Sequence, residues 1–335
     1  MELRRIQVTG GSTHVISLPK KWVDRNKLGR SDTLAIHEEP DGSLLMAPYG
    51  ELRTERRSRR ITIDQDTPAD SIVRRLVGAY LAGADEIQVH VQGGRFTPEL
   101  RQTLRTIKRD LVGVEILEES QDTAILQDLM GVSEMDLRKA VTRMHRIAQI
   151  MFNDAWQAFE TRDGALATDV TDRDDEVDRL EWMVSKQMHA LLEQPRLAAQ
   201  LNIRPGEALN LYLVGRAIER MADHASKVCK NTLVLNGGAL PNEVVRSVLD
   251  QAAVVKEVWD EAFSALKRVD FDMASAAVDA GKAAAGWRAQ FPAQLNGLEV
   301  KQVEALTLIA DSLDRTRSYA IDIAETAMNH TFQMQ

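Results

Sequence analysis

The chain has 335 residues, 44% of them hydrophobic and 27% charged, which suits two or three folded domains and excludes a disordered polymer. It has no apolar run of about 18 residues to span a membrane and its first 20 residues do not read as a secretory leader. Its single cysteine, Cys229, excludes an internal disulfide or a cysteine-built zinc site, so a cytoplasmic address is expected. The net charge of −8 is uneven: residues 1–60 hold 12 Lys/Arg against 8 Asp/Glu, net +4, and the rest hold 30 against 42, net −12. A basic head on an acidic body points to nucleic acid or an acidic partner, and also fits an ordinary soluble protein.

Residues 1–50 read as β structure. Arg5–Thr9 and His14–Leu18 alternate around a Gly10-Gly11-Ser12 turn. Pro19 opens a short helix from Lys20 to Lys27 that Gly29 ends. Two further strands, Thr33–Glu38 and Ser43–Ala47, flank Pro40-Asp41-Gly42, a hairpin signal. So small a unit buries too little surface to stand alone, so a second copy is expected to cover it. The arginine-rich run Arg53–Arg60 marks a boundary, and reads either as a solvated linker or as a track for DNA phosphates.

A compact α+β region follows over 51–130. The spacing predicts strands at 60–64, 86–91, 114–117 and 124–126 and helices at 68–81 and 98–111, in the order β-α-β-α-β-β. It has no glycine-rich phosphate loop and no evident nucleophile.

From Ser133 onward the chain is helical. A capping-box-like Ser133-x-x-Asp136 opens a helix whose apolar line is Leu137, Val141, Met144, Ala148, Met151, Ala155 and Phe159. A second helix is expected from about Asp172 to Glu193 and a third from Glu207 to Leu235, closed by Gly237-Gly238. The pattern then repeats. Trp156-x-Ala158-Phe159 is echoed by Trp259-x-x-Ala262-Phe263, and Ala217-Ile218-Glu219-Arg220 by Ser312-Leu313-Asp314-Arg315. Two three-helix units, 131–237 and 238–335, share a seam.

Asp174 and Asp178 lie four apart on one helix, and Glu219 and Asp223 four apart on the next. Each pair shares a helix face, and four oxygen donors aimed at one point suit a hard or intermediate cation. The plainer alternative is solvated acids in surface ion pairs with Arg216, Arg220 and Lys227. Trp22, Trp156 and Trp259 read as core, Cys229 as packed, and His14, His145, His189 and His224 form no ligand pair.

Arg216-Ala217-Ile218-Glu219-Arg220-Met221-Ala222-Asp223 resembles the Glu-Arg-x-x-Asp signature of PhoU proteins, tandem three-helix-bundle regulators of phosphate uptake, and Asp174-x-x-x-Asp178 resembles that family's other acidic motif. The resemblance implies a metal ion, Mg, Mn, Fe or Zn, on Asp174, Asp178, Glu219 and Asp223. The second repeat departs from the signature. Asp314 replaces Glu, Ser318 stands for Asp, and Asp279 is followed four residues on by Ala283, so its site is expected to be degenerate, with Asp314 and Asp322 as weak contributors.

The first 50 residues resemble the SpoVT-AbrB type of DNA-binding domain, through Arg4-Arg5, the Gly10-Gly11 turn, Ile16-Ser17-Leu18-Pro19-Lys20-Lys21-Trp22 and Leu28-Gly29-x-x-Asp32. This implies a swapped-hairpin β-barrel from two chains, with Arg4, Arg5, Lys20, Lys21, Arg25 and Arg30 on DNA phosphates or base edges. The expected fold is therefore mixed but predominantly α. It comprises an AbrB-like barrel over 1–50, a small α+β middle domain over 51–130, and PhoU-like bundles over 131–237 and 238–335. Together the two resemblances match archaeal phosphate-uptake regulators. The function expected is a homodimeric, DNA-binding regulator of phosphate uptake, not an enzyme. The alternative is an adaptor on a phosphate transporter ATPase subunit or signalling partner, with the head only dimerising. A metal-dependent hydrolase lacks a base–nucleophile arrangement beside the acids.

Overall fold

The structure, a computed structural model, describes residues 2–38, 42–49, 57–131, 136–193, 195–235 and 238–334. Pro40 and Asp41 of the expected turn, residues 53–56 of the arginine-rich run, Ser133 and Gly237 lie outside the described residues. The chain divides into two compact units, Met1–Glu55 and Arg56–Gln335.

In the first unit β1 (Gln7–Thr9) pairs antiparallel with β2 (Thr13–Val15) through Gly10 and Gly11, whose φ of 63° and 92° favours residues without a Cβ. Helix α1 (Lys20–Arg25) starts behind Pro19, and its end is closed by Asn26, whose Nδ2 donates to the Trp22 carbonyl at 2.8 Å. β3 (Leu34–Glu38) pairs antiparallel with β4 (Leu44–Pro48). The two ribbons are separate two-stranded sheets. Among the described residues of this unit only Ala47 is buried, while Leu3, Ile6, Val8, Val15, Ile16, Ile36, Leu44 and Tyr49 are exposed. Trp22, expected in a core, is half-buried.

The second unit opens with a four-stranded sheet, β5 (Ser58–Ile63), β6 (Glu86–Val91), β7 (Val114–Glu119) and β8 (Thr123–Asp128), in the order β5-β6-β8-β7. β5 and β6 are parallel, joined across α2 (Ala69–Leu81), as a parallel pair requires; the other pairings are antiparallel. α2 and α3 (Pro98–Asp110) bury Ile72, Leu76, Leu100, Leu104 and Ile107 with Val89, Val91 and Leu126 of the sheet.

The remainder is helical, with α4 (Leu137–Thr161), α5 (Gly164–Glu193), α6 (Pro195–Gln200), α7 (Pro205–Leu235), α8 (Asn242–Arg268), α9 (Phe271–Ala283), α10 (Gly286–Gln290) and α11 (Val300–Met334). The predicted apolar line of α4 is buried at every position. Helix α5 starts well before the expected Asp172. Asp163 Oδ1 accepts from the Ala165 and Leu166 amides at 2.9 and 3.0 Å, and the early turns bury Ala167 and Val170. One continuous core runs from Leu137 to Ala327 and fuses both repeats. His145 of α4 joins them, stacking on Phe263 of α8 with centroids 3.5 Å apart and meeting Trp259 edge-on. Trp156 and Trp259 are core residues, as expected.

The α+β sheet docks on α5. Trp182 packs against its core, and Lys186 forms an ion pair with Asp128 at the end of β8, both side chains 6% exposed. The Lys186 ammonium lies 4.5 Å from the centroid of the Tyr80 ring, whose hydroxyl donates to the Val112 carbonyl at 3.0 Å.

Candidate functional site

The two acidic pairs stand on neighbouring helices of opposite direction. Asp174 is coupled to Asp223, Asp178 to Glu219, and Glu181 is bonded to Arg216, so residue numbers rise along α5 as they fall along α7. All four predicted acids are half-buried. Burial, with Asp223 beside it, pushes the Asp174 carboxyl up to about 6. Burial and the charges of Asp174, Glu219 and Asp223 push Asp178 up to about 7. Glu219 moves in the same direction, chiefly through burial and Asp223, with Arg216 and Arg220 pulling against it. Such shifts are the mark of like charges gathered out of water.

The cluster is short of positive charge. Asp174 Oδ1 is shut off from solvent, and only the Ser226 hydroxyl and the Lys230 charge draw its carboxyl down against burial. Arg216, expected beside Glu219, instead gives its hydrogen bond to Glu181 at 3.0 Å. Arg220 lies over the Tyr319 ring, and Lys227 meets Asp223 at 3.2 Å on a half-exposed edge. Among the described residues no three His, Cys, Asp or Glu side chains are gathered closely enough to hold a metal ion. The arrangement is an oxygen-rich, mutually repelling cluster on neighbouring stretches of α5 and α7.

Glu181 was not singled out from the sequence. It continues the stripe of Asp174 and Asp178 along α5, is 4% exposed, and accepts from Ser185 at 2.6 Å as well as from Arg216. The signal was present as acids recurring at helical spacing. In the second repeat Asp322 keeps an exposed side chain whose carboxyl is raised by partial desolvation and by Glu325, while Asp314 is held by Arg317. The Cys229 thiol is fully buried, which pushes it up to about 12.

In the head, Arg4, Arg5, Lys20, Lys21, Arg25 and Arg30 are all exposed. Arg4 pairs with Glu2; the other five make no ion pair with a described residue. Lys20, Lys21 and Arg25 share α1, none of whose residues is fully buried. Among the described residues no helix is long and apolar enough to cross a membrane.

The PhoU domain family model matches residues 141–232, the span that holds both acidic pairs. The chain carries a PhoU domain. A second family model, antidote-toxin recognition MazE, bacterial antitoxin, matches residues 7–54, so the PhoU helices follow an AbrB/MazE-like domain. The chain is 27% identical over 160 residues to a Thermotoga maritima protein named phosphate-specific transport system accessory protein PhoU homolog 1, covering 46% of this chain and 66% of that one. It thus spans just under two thirds of the length of the curated relative it matches. The crystal structure of PhoU from Pseudomonas aeruginosa superposes with a TM-score of 0.53 at 23% identity, over 59% of this chain and 96% of that chain, which establishes the fold of the helical part.

Proposed function

We propose that this chain is a regulator of phosphate uptake or metabolism. It binds double-stranded DNA through a homodimeric AbrB-like head and holds a metal ion at Asp174, Asp178, Glu219 and Asp223. What carries the reading is the union in one chain of a PhoU domain and a MazE-type head whose six candidate bases are exposed. The dimer is supported by a head that has, among the described residues, one buried side chain, Ala47, and eight large exposed apolar ones. That surface suits a second copy of the same ribbon pair.

A divalent or trivalent cation (Mg, Mn, Fe or Zn) supplies the positive charge that the four carboxylates lack. The chain's own part is to hold Asp174 and Asp178 on α5 opposite Glu219 and Asp223 on α7, so that their repulsion is relieved in one relative setting of the two helices. Coupling to the head requires that this setting and the unliganded one differ in DNA affinity.

Mapping genome occupancy at high and low phosphate tests the reading. Sites beside phosphate-transport genes should fill or empty with phosphate; occupancy indifferent to phosphate rejects it. The second reading, a transporter adaptor whose head only dimerises, is favoured by the name of the Thermotoga maritima relative. Co-purification with a transporter ATPase subunit, with no chromatin enrichment, would select it.

A further inference from the structure

Where the sequence of α7 is echoed in α11, Asp314 falls at the place of Glu219, Ser318 at that of Asp223 and Arg317 at that of Ala222. Ala222 is fully buried in a helix contact; Arg317 is 9% exposed, so a long cationic side chain enters the second repeat where the first has a methyl group. Its guanidinium is held on all sides. Nε donates to Asp314 Oδ1 at 2.8 Å, Nη2 meets the same carboxylate at 2.8 Å and Ser318 Oγ at 3.4 Å, and Nη1 donates to the Gly281 carbonyl on α9 at 3.1 Å. Gly281 makes that reach short. A Cβ there would lie 2.6 Å from Ile321 Cγ1, so the α9 backbone approaches α11 only because the residue is glycine.

On α9 one acid is lost and the other faces water. Ala283 stands at the place of Asp178, and Asp279, at the place of Asp174, is exposed. The first repeat thus gathers four carboxylates with no buried cation among them, while in the second the half-buried carboxylate, Asp314, already has a cation on it.

We propose that Arg317 is a resident cation. It fills, in the second repeat, the position that a metal ion takes in the first, closing the Asp314 site to metal and locking α9 to α11. This rests on the metal-binding reading of Asp174, Asp178, Glu219 and Asp223. The physical grounds are that a buried guanidinium must be paired and its donors satisfied, which Asp314, Ser318 and the Gly281 carbonyl do. A second cation there would meet the charge of the first across a poorly solvated gap.

Two measurements on the full chain test it. The first is manganese titration followed by electron paramagnetic resonance. Asp178→Asn should weaken manganese binding at least tenfold and leave no site in the second repeat. Adding Ala283→Asp, Arg317→Ala and Ser318→Asp to that variant should create one manganese site per chain, lost again with Asp314→Asn. The second is thermal unfolding in EDTA. Arg317→Met should lower the melting temperature by about 5 °C, and Asp314→Leu added to it should recover most of the loss. Manganese retained by Asp178→Asn but lost with Asp314→Asn overturns the proposal, as does an Arg317→Met chain that melts like the parent. A parent chain that binds no manganese, with the engineered site still gained and Arg317→Met still unstable, supports the resident cation and rejects the metal reading of the first repeat.

Discussion

Arg216 on α7 donates from Nη1 to Glu181 Oε1 on α5 at 3.0 Å, closing with an ion pair a ladder whose other rungs are like-charged. Glu181 is 5% exposed at its side chain and Arg216 41%. Arg216→Ala leaves a buried carboxylate with only the Ser185 hydroxyl. Unfolding stability should drop by about 1–3 kcal/mol, below the loss for a fully buried pair because the guanidinium is partly in water. Urea denaturation reads this directly, and an unchanged midpoint refutes it.

The acid cluster makes stability depend on pH with a definite sign. Folding raises Asp174 to about 6 and Asp178 to about 7 from an ordinary 3.8, so the folded chain binds more protons than the unfolded one between those values. Metal-free protein should therefore lose stability as pH rises from about 4 to about 7. The loss should be about 1–3 kcal/mol after allowing for solvent screening. Asp178→Asn should flatten this slope and raise the melting temperature in EDTA at pH 8. Magnesium or manganese should do the same for the parent chain.

His145 works in the opposite direction. Burial, with Lys267 and Lys256 adding to it, lowers the imidazole to about 3 from an ordinary 6.5. The folded state therefore keeps it neutral, and its share of stability, present above pH 6.5, is lost as pH falls towards 3. His145→Phe should remove that part of the acid sensitivity, measured as the difference in melting temperature between pH 7 and pH 5.

The Lys186–Asp128 pair fixes the α+β sheet to α5 with both side chains nearly out of water. Lys186→Met strands Asp128 and should cost about 3–5 kcal/mol, while Lys186→Met with Asp128→Leu should recover most of it. Calorimetry of the full chain distinguishes the two. Equal destabilisation by single and double variants would mean that the pair carries no coupling.

For the head, Ile36→Asp with Leu44→Asp places charges on exposed apolar positions of the paired strands β3 and β4 and should yield a particle of one chain's mass, 37.4 kDa, by light scattering. Arg4, Arg5, Lys20 and Lys21 replaced together by Ala should abolish a gel shift. Single replacements should reduce the salt dependence of binding by about 0.9 in slope for each phosphate no longer neutralised.

Periodicity made the helical half readable. The apolar line of α4 is so regular that every member lies in the core, and the strand–helix alternation between β5 and β8 follows from glycine and proline punctuation. Helix starts were harder, because the first turns of α5 offer only small or scattered apolar residues, Ala165, Leu166, Ala167 and Val170, and begin at the Asp163 cap. The four acids were visible as pairs, but their shared neighbourhood depends on the opposed direction of α5 and α7. The partner of Arg216 was missed because spacing favours contacts within one helix, and Glu181 reaches it from another.

The head has a consequence for gene dosage. With Ala47 as its one buried side chain among the described residues, its order must be borrowed from whatever covers it. If a twin chain is the cover, assembly and operator grip follow mass action, and the complex forms in proportion to the square of free subunit level. A modest change in expression would then produce a steep change in promoter control before any ion or phosphate is sensed.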